Sequence, residues 1–118
     1  MTGKVSPRRH KYGAKKAGCA QGHTHPSIKE AKRCDELHLL QRGGVISDLR
    51  VQVQFWFVID GRQVKIANGR RAGVLIDFTY TENGRHVAED VKGMKVRDWP
   101  LRAAIFRALF TDIELRET

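Results

Sequence analysis

Asp77, Asp90 and Lys92 could act together, because the letters around them predict a β-hairpin of defined register. Asn83-Gly84 favours a two-residue type I′ turn, in which both central residues need positive φ. Runs rich in β-branched and aromatic residues, VLIDFTY and HVAEDVK, flank it. Facing residues then have numbers of constant sum: Glu82 opposes Arg85, Tyr80 opposes Val87, and Asp77 opposes Asp90. Alternation puts Val74, Ile76, Phe78 and Tyr80 with Val87 and Val91 on one face, and Asp77, Asp90 and Lys92 on the other. Like charges directly opposite on a sheet cost some tenths of a kcal/mol, which a cation would relieve. Converging carboxylates suit Mg²⁺, with Mn²⁺ able to substitute, and such ions keep waters for hydrolysis. Lys92 could orient an attacking water or stabilise charge on a phosphate. The same residues also read as a solvated strand face with a weak Asp90–Lys92 surface pair.

These side chains need a frame. A helix from Ser27 to Arg42 stops at Gly43-Gly44, and its start, Ser27-Ile28-Lys29-Glu30, has the S-x-x-E form of a capping box. Glu30 could return a hydrogen bond to the Ser27 backbone. It also borders the apolar stripe with Cys34, Leu37 and Gln41, so its carboxylate could reach toward the hairpin instead. The two roles exclude each other in one conformation.

From Ile46 to Ile59 a long alternation predicts a half-buried strand, with Val51, Val53, Phe55, Phe57 and Ile59 on one side and Gln52, Gln54 and Trp56 on the other. Asp60-Gly61 signals a second hairpin, and Asn68-Gly69-Arg70-Arg71 a turn into the central one. Arg70 and Arg71 are either phosphate contacts or a solvated loop. After a loop near Met94 to Arg97, Asp98 could cap a helix with Pro100 in its first turn and Leu101, Ile105, Ala108 and Leu109 buried. Ile113 and Leu115 alternate in a last strand. Strand, helix, strand implies a parallel pairing on an otherwise antiparallel sheet, with helices on its faces.

Cys19, His23, His25, Cys34 and His38 contain C-x₃-H twice, enough ligands for zinc, but not at the spacing of a standard finger. Cys34 on the inner side of the helix reads as ordinary packing, and His23 and His25 as part of the turn leading into it.

The chain has 118 residues, net charge +9 and pI near 10.1, the balance of a single domain with a polyanionic partner. Nucleic acid is favoured over membrane because no apolar run could span a bilayer. Residues 1–18 form a basic arm, expected to be flexible, ahead of one domain at 19–118; Lys15 and Lys16 in the arm could bind phosphates or simply be solvated. Two cysteines and no leader sequence suggest a reducing, cytoplasmic setting.

Asp77, then a hairpin, then Asp90-Val91-Lys92 resembles the signature of the PD-(D/E)XK nuclease superfamily, with Ile76 where that signature has proline. The run IDFTY…AEDVKG, with SIKEAKR and LHLLQRGGVISDLRVQVQF upstream, is similar to small phage-encoded proteins of that superfamily described as endonucleases or Holliday-junction resolvases. The resemblance covers roughly Lys11 to Glu117. It implies an α/β (α+β) restriction-endonuclease-like αβββαβ core and a Mg²⁺-dependent DNA endonuclease, phage- or prophage-encoded, working in the bacterial host cytoplasm. It further implies Asp77, Asp90 and Glu30 as metal ligands, Lys92 as catalytic lysine, Gln52 near the substrate groove and Arg102 as a phosphate contact. Junction resolvases commonly act as symmetric dimers, so a homodimer is expected. A catalytically inactive basic DNA-binding protein would share the same surface.

Overall fold

The computed structural model describes residues 17–19, 22, 24, 25, 27–91 and 97–118. Lys15, Lys16, His23 and Lys92 lie outside the described residues, as does most of the loop read near Met94 to Arg97. Two short strands, β1 (Ala17–Gly18) and β2 (Thr24–His25), pair antiparallel ahead of helix α1 (Ile28–Arg42). Then come β3 (Ser47–Trp56), β4 (Val58–Ile59), β5 (Arg62–Gln63), β6 (Gly73–Glu82), β7 (Arg85–Asp90), α2 (Trp99–Leu109) and β8 (Ile113–Glu117). The main sheet has the order β3-β6-β7-β8. β3, β6 and β7 pair antiparallel and β7 pairs β8 in parallel, so α2 is the crossover between parallel neighbours. The core order is αβββαβ in a mixed sheet flanked by helices, consistent with a restriction-endonuclease-like fold.

Local chemistry accounts for the elements. The Ser27 hydroxyl accepts from the backbone N–H of Glu30 at 3.1 Å and starts α1. Gly44, at φ +80°, takes the left-handed conformation that turns the chain out of the helix. Asn83 and Gly84 have φ of 52° and 76°, the type I′ turn, and hold the predicted register with Tyr80 opposite Val87 and Glu82 opposite Arg85. Asp60 and Gly61, at 56° and 77°, do the same for the β4/β5 hairpin. The alternation to Ile59 is therefore two elements: the main strand ends at Trp56, and Val58 and Ile59 fold into their own hairpin.

The predicted single apolar face does not hold. Ile76 and Val74 pack with Trp99, Ala103 and Phe106 of α2, whereas Phe78 and Tyr80 pack with Cys34 and Leu37 of α1. Neighbours Val87 and Ala88 join the α1 and α2 clusters respectively, so the two helices cover opposite faces. Residues two apart on a regular strand share a face. β6 therefore changes face across Asp77. On β3, Gln52 lies between Val51 and Val53, the partners of Phe78 and Ile76, and has φ +57°. That left-handed residue breaks the alternation which the letters alone suggested.

In α2 the buried residues are Trp99, Ala103 and Phe106, while Leu101 is 64% exposed and Ala108 is also outside the core. Ile105 and Leu109 of the expected stripe do pack against the core, but Leu101 and Ala108 face outward and Trp99 supplies the first anchor instead. Asp98 precedes the helix without a side-chain cap; its Oδ2 accepts from Arg102 Nε at 2.7 Å.

Candidate functional site

The β6/β7 ladder stops at Phe78 opposite Glu89, one pair short of Asp77 and Asp90. There the carboxylates take over as acceptors. The Asp77 backbone N–H donates to Asp90 Oδ1 at 3.3 Å, and the Val91 N–H donates to Asp77 Oδ2 at 2.8 Å. Each acid is thus oriented by the backbone of the opposite strand. Asp90 is buried and Asp77 half-buried. Burial, and then the negative charge of Asp90, push the Asp77 carboxyl up to about 7.

Glu30 enters from α1. It is 4% exposed, and its Oε2 accepts from Gln52 Nε2 at 2.7 Å and meets His25 Nδ1 at 2.9 Å. Of the two roles open to it, the carboxylate has turned toward the sheet; Ser27 caps the helix without a reciprocal bond from Glu30. The same Gln52 nitrogen lies 3.4 Å from Asp77 Oδ1. Gln52 is therefore the bridge between Glu30 and the aspartate pair, at the point where β3 leaves regular alternation.

Arg70 and Arg71 are exposed beyond the β5 strand, with Arg71 held 4.6 Å over the Trp56 ring. Arg102 is bonded to Asp98 and to the Gly73 carbonyl, rather than to the carboxylates. The structure thus brings together Asp77, Asp90, Glu30 and Gln52 but gives the three arginines other partners or positions.

Two features escaped the sequence. Lys29, Lys32 and Arg33 of α1 line a groove with Glu36, Thr118 and Val91, the residue whose N–H orients Asp77. The i, i+3 spacing of Lys29 and Lys32 was the available signal. Glu89 is fully buried on the α1 side, between Val87 and Val91 in the strand's alternation. Arg33 grips it through Nε at 2.6 Å and Nη2 at 3.0 Å, Tyr80 donates at 2.6 Å and Thr118 Oγ1 at 2.9 Å. Burial alone would raise its pKa, but Arg33 and the two hydroxyls outweigh burial and hold it below the usual range.

A family model matches residues 9–118, almost the whole chain. The chain belongs to DUF1064. That family is described as a protein of unknown function. No curated protein and no solved structure matches this DUF1064 chain. No helix among its described residues is long and apolar enough to cross a membrane.

The donors at this DUF1064 site are of the type that a hard divalent cation takes. Asp77, Asp90 and Glu30 offer carboxylate oxygens, the donor type that Mg²⁺ prefers. The rise of the Asp77 carboxyl comes first from burial and then from the neighbouring Asp90 charge.

Proposed function

We propose that this DUF1064 chain is a Mg²⁺-dependent DNA endonuclease that hydrolyses phosphodiester bonds, with Mn²⁺ as a substitute. The observation that carries this reading is the reciprocal pair, in which backbone N–H groups hold the Asp77 and Asp90 carboxylates across the end of the ladder, next to a groove lined by cations. Resemblance to PD-(D/E)XK nucleases supports it from the sequence side. Asp77 and Asp90 would hold the ion, with Glu30 as third carboxylate. The chemistry supplied by a bound divalent cation is polarisation of the phosphodiester and a hydroxide nucleophile near neutral pH.

The chain's own residues do the rest. Val91 N–H keeps Asp77 turned toward Asp90, and the Gln52 amide ties Asp77 to Glu30. Lys29 and Lys32 are exposed on the groove and would hold phosphates on either side of the bond to be cut. Lys92 follows Val91 directly in the sequence and would place the attacking water and stabilise developing charge. Lys15, Lys16, Arg70 and Arg71 would add sequence-independent contacts, and Arg102 a further one if released from Asp98. Branched DNA is the proposed substrate, by analogy with junction resolvases, in the cytoplasm of a bacterial host of a phage or prophage.

Supercoiled plasmid with Mg²⁺ separates this reading from a catalytically inactive DNA-binding protein, since binding alone shifts the band without nicking it. Lys92→Ala should cut the nicking rate by orders of magnitude and leave affinity nearly intact, because one contact among many is lost from binding but a transition-state contact is lost from chemistry. Equal losses in both would remove Lys92 from the chemistry. A labelled set of linear, flapped and four-way substrates then tests the preference for branches.

A further inference from the structure

A second group of side chains meets Glu30 through His25. Cys19 follows β1, His25 lies in β2 and Cys34 on α1, and one ligand atom from each falls within 4.8 Å of the others. His25 and Cys34 are 0% exposed, and Cys19 is half-buried. The two sulfurs are 3.4 Å apart. With Zn–S near 2.3 Å and Zn–N near 2.0 Å, the ligand atoms of a tetrahedral site lie roughly 3.3–3.8 Å from one another. The three atoms need move only a little to meet one ion.

We propose that Cys19, His25 and Cys34 bind a zinc ion that fastens the β1/β2 hairpin to α1. The contact that singles out zinc from mere packing is on the far side of the imidazole. His25 Nδ1 is 2.9 Å from Glu30 Oε2, so a proton on Nδ1 bonds the carboxylate and leaves Nε2 as the lone-pair nitrogen. Carboxylate-oriented histidines of this kind are the usual metal-ligating ones. A histidine merely paired with an acid would explain Glu30, but not two thiols gathered at the same ring. Thiols suit zinc better than Mg²⁺, so the two sites select different ions.

Binding replaces the two thiol protons, which pass to solvent, with two sulfur–zinc bonds. His38 Nδ1 donates to the Cys34 carbonyl at 2.8 Å and lies 3.6 Å from the Cys34 sulfur. Cys19, His25 and Cys34 are the three ligands that converge among the described residues, and a tetrahedral site has one further position. The spacing hid this site: Cys19 and Cys34 are separated by fourteen residues, and it is the β1/β2 hairpin that folds Cys19 back onto the helix.

The test uses the full chain, reduced, titrated with Co²⁺ and then with zinc against a chromophoric chelator. One ion per chain is expected, with tetrahedral d–d absorption and sulfur-to-cobalt charge transfer. Cys19→Ser and Cys34→Ser should each remove about half of the charge-transfer intensity, in proportion to the thiolates lost. Glu30→Gln should keep that band but weaken zinc by about 10- to 100-fold, the range for loss of an orienting carboxylate. An octahedral, thiolate-free cobalt spectrum of the wild type overturns the proposal even if a variant fails to fold. So does formation of a Cys19–Cys34 disulfide with zinc absent from chain purified without chelator.

Discussion

Asp77 ionises against burial and against Asp90, which fixes the sign of its pH dependence. An acid whose folded pKa lies above its unfolded value costs stability when charged. The cost is full above about 7, where Asp77 is ionised in the folded state, and it vanishes as pH falls toward the ordinary value of 3.8. Asp77→Asn should therefore stabilise the metal-free protein at pH 8 by about 0.2 to 1 kcal/mol, and the gain should shrink on acidification through pH 7 to 4. With the proposed Mg²⁺ site, the ion should stabilise wild type and the same change should abolish that effect, since a ligand binding only the folded state acts by mass action. Thermal melts with chelator and with excess Mg²⁺, across that pH range, check both halves. A surface-pair reading gives no gain in chelator and no Mg²⁺ shift in either protein. Asp77 and Asp90 were legible as a pair because one turn dipeptide sets their register. Gln52 was legible as a candidate from resemblance, but its bridging role follows from a left-handed φ that no letter announces.

At the scale of elements, the Arg33–Glu89 pair locks α1 onto β7 just before Asp90. Arg33→Ala leaves a buried carboxylate with Tyr80 and Thr118 as its donors among the described residues, and should destabilise by roughly 3 kcal/mol at neutral pH, the low end for breaking a buried pair. Glu89 is held below its ordinary 4.5, so wild type keeps this contribution above that value and loses it as pH falls through the depressed pKa. In Arg33→Ala the carboxyl rises, and the gap between mutant and wild type should narrow on acidification; urea melts at pH 7 and 4 measure it. Gly73 permits a second close approach, since a Cβ there would collide with the Phe55 carbonyl. Gly73→Ala should cost about 1–3 kcal/mol, seen in the same melts, through forced movement of β3 from β6. The turns and the parallel crossover were readable because glycine, asparagine and connection handedness are local rules. The Trp99, Ala103 and Phe106 stripe was not, because Leu101 fits a helical period equally well and only the sheet chooses between them.

For the whole molecule, a net charge of +9 predicts DNA affinity that falls steeply with salt. Removing residues 1–16 should weaken binding and flatten the slope of log affinity against log salt. An unchanged slope would leave Lys15 and Lys16 out of the interface. The sheet edges offer a surface for the proposed homodimer. β3 and β8 are the edge strands of the main sheet, and Trp56, 42% exposed under Arg71, ends the first of them. A two-fold pairing there would set two sites to cut two strands. Sedimentation showing only monomer, both free and on four-way DNA, would remove the dimer.

The register of the β6/β7 hairpin has a consequence in time. Asp77 and Asp90 are 13 residues apart and joined through a tight turn, whereas Glu30 and Gln52 reach them only after α1 and β3 dock. Short loops close with the least entropy, so the hairpin can form early and bring its two charges together before any third group arrives. The repulsion would then act on the folding barrier as well as on the folded state. Mg²⁺ present during refolding should speed the main phase in wild type and leave Asp77→Asn unaffected, a difference that stopped-flow fluorescence would resolve.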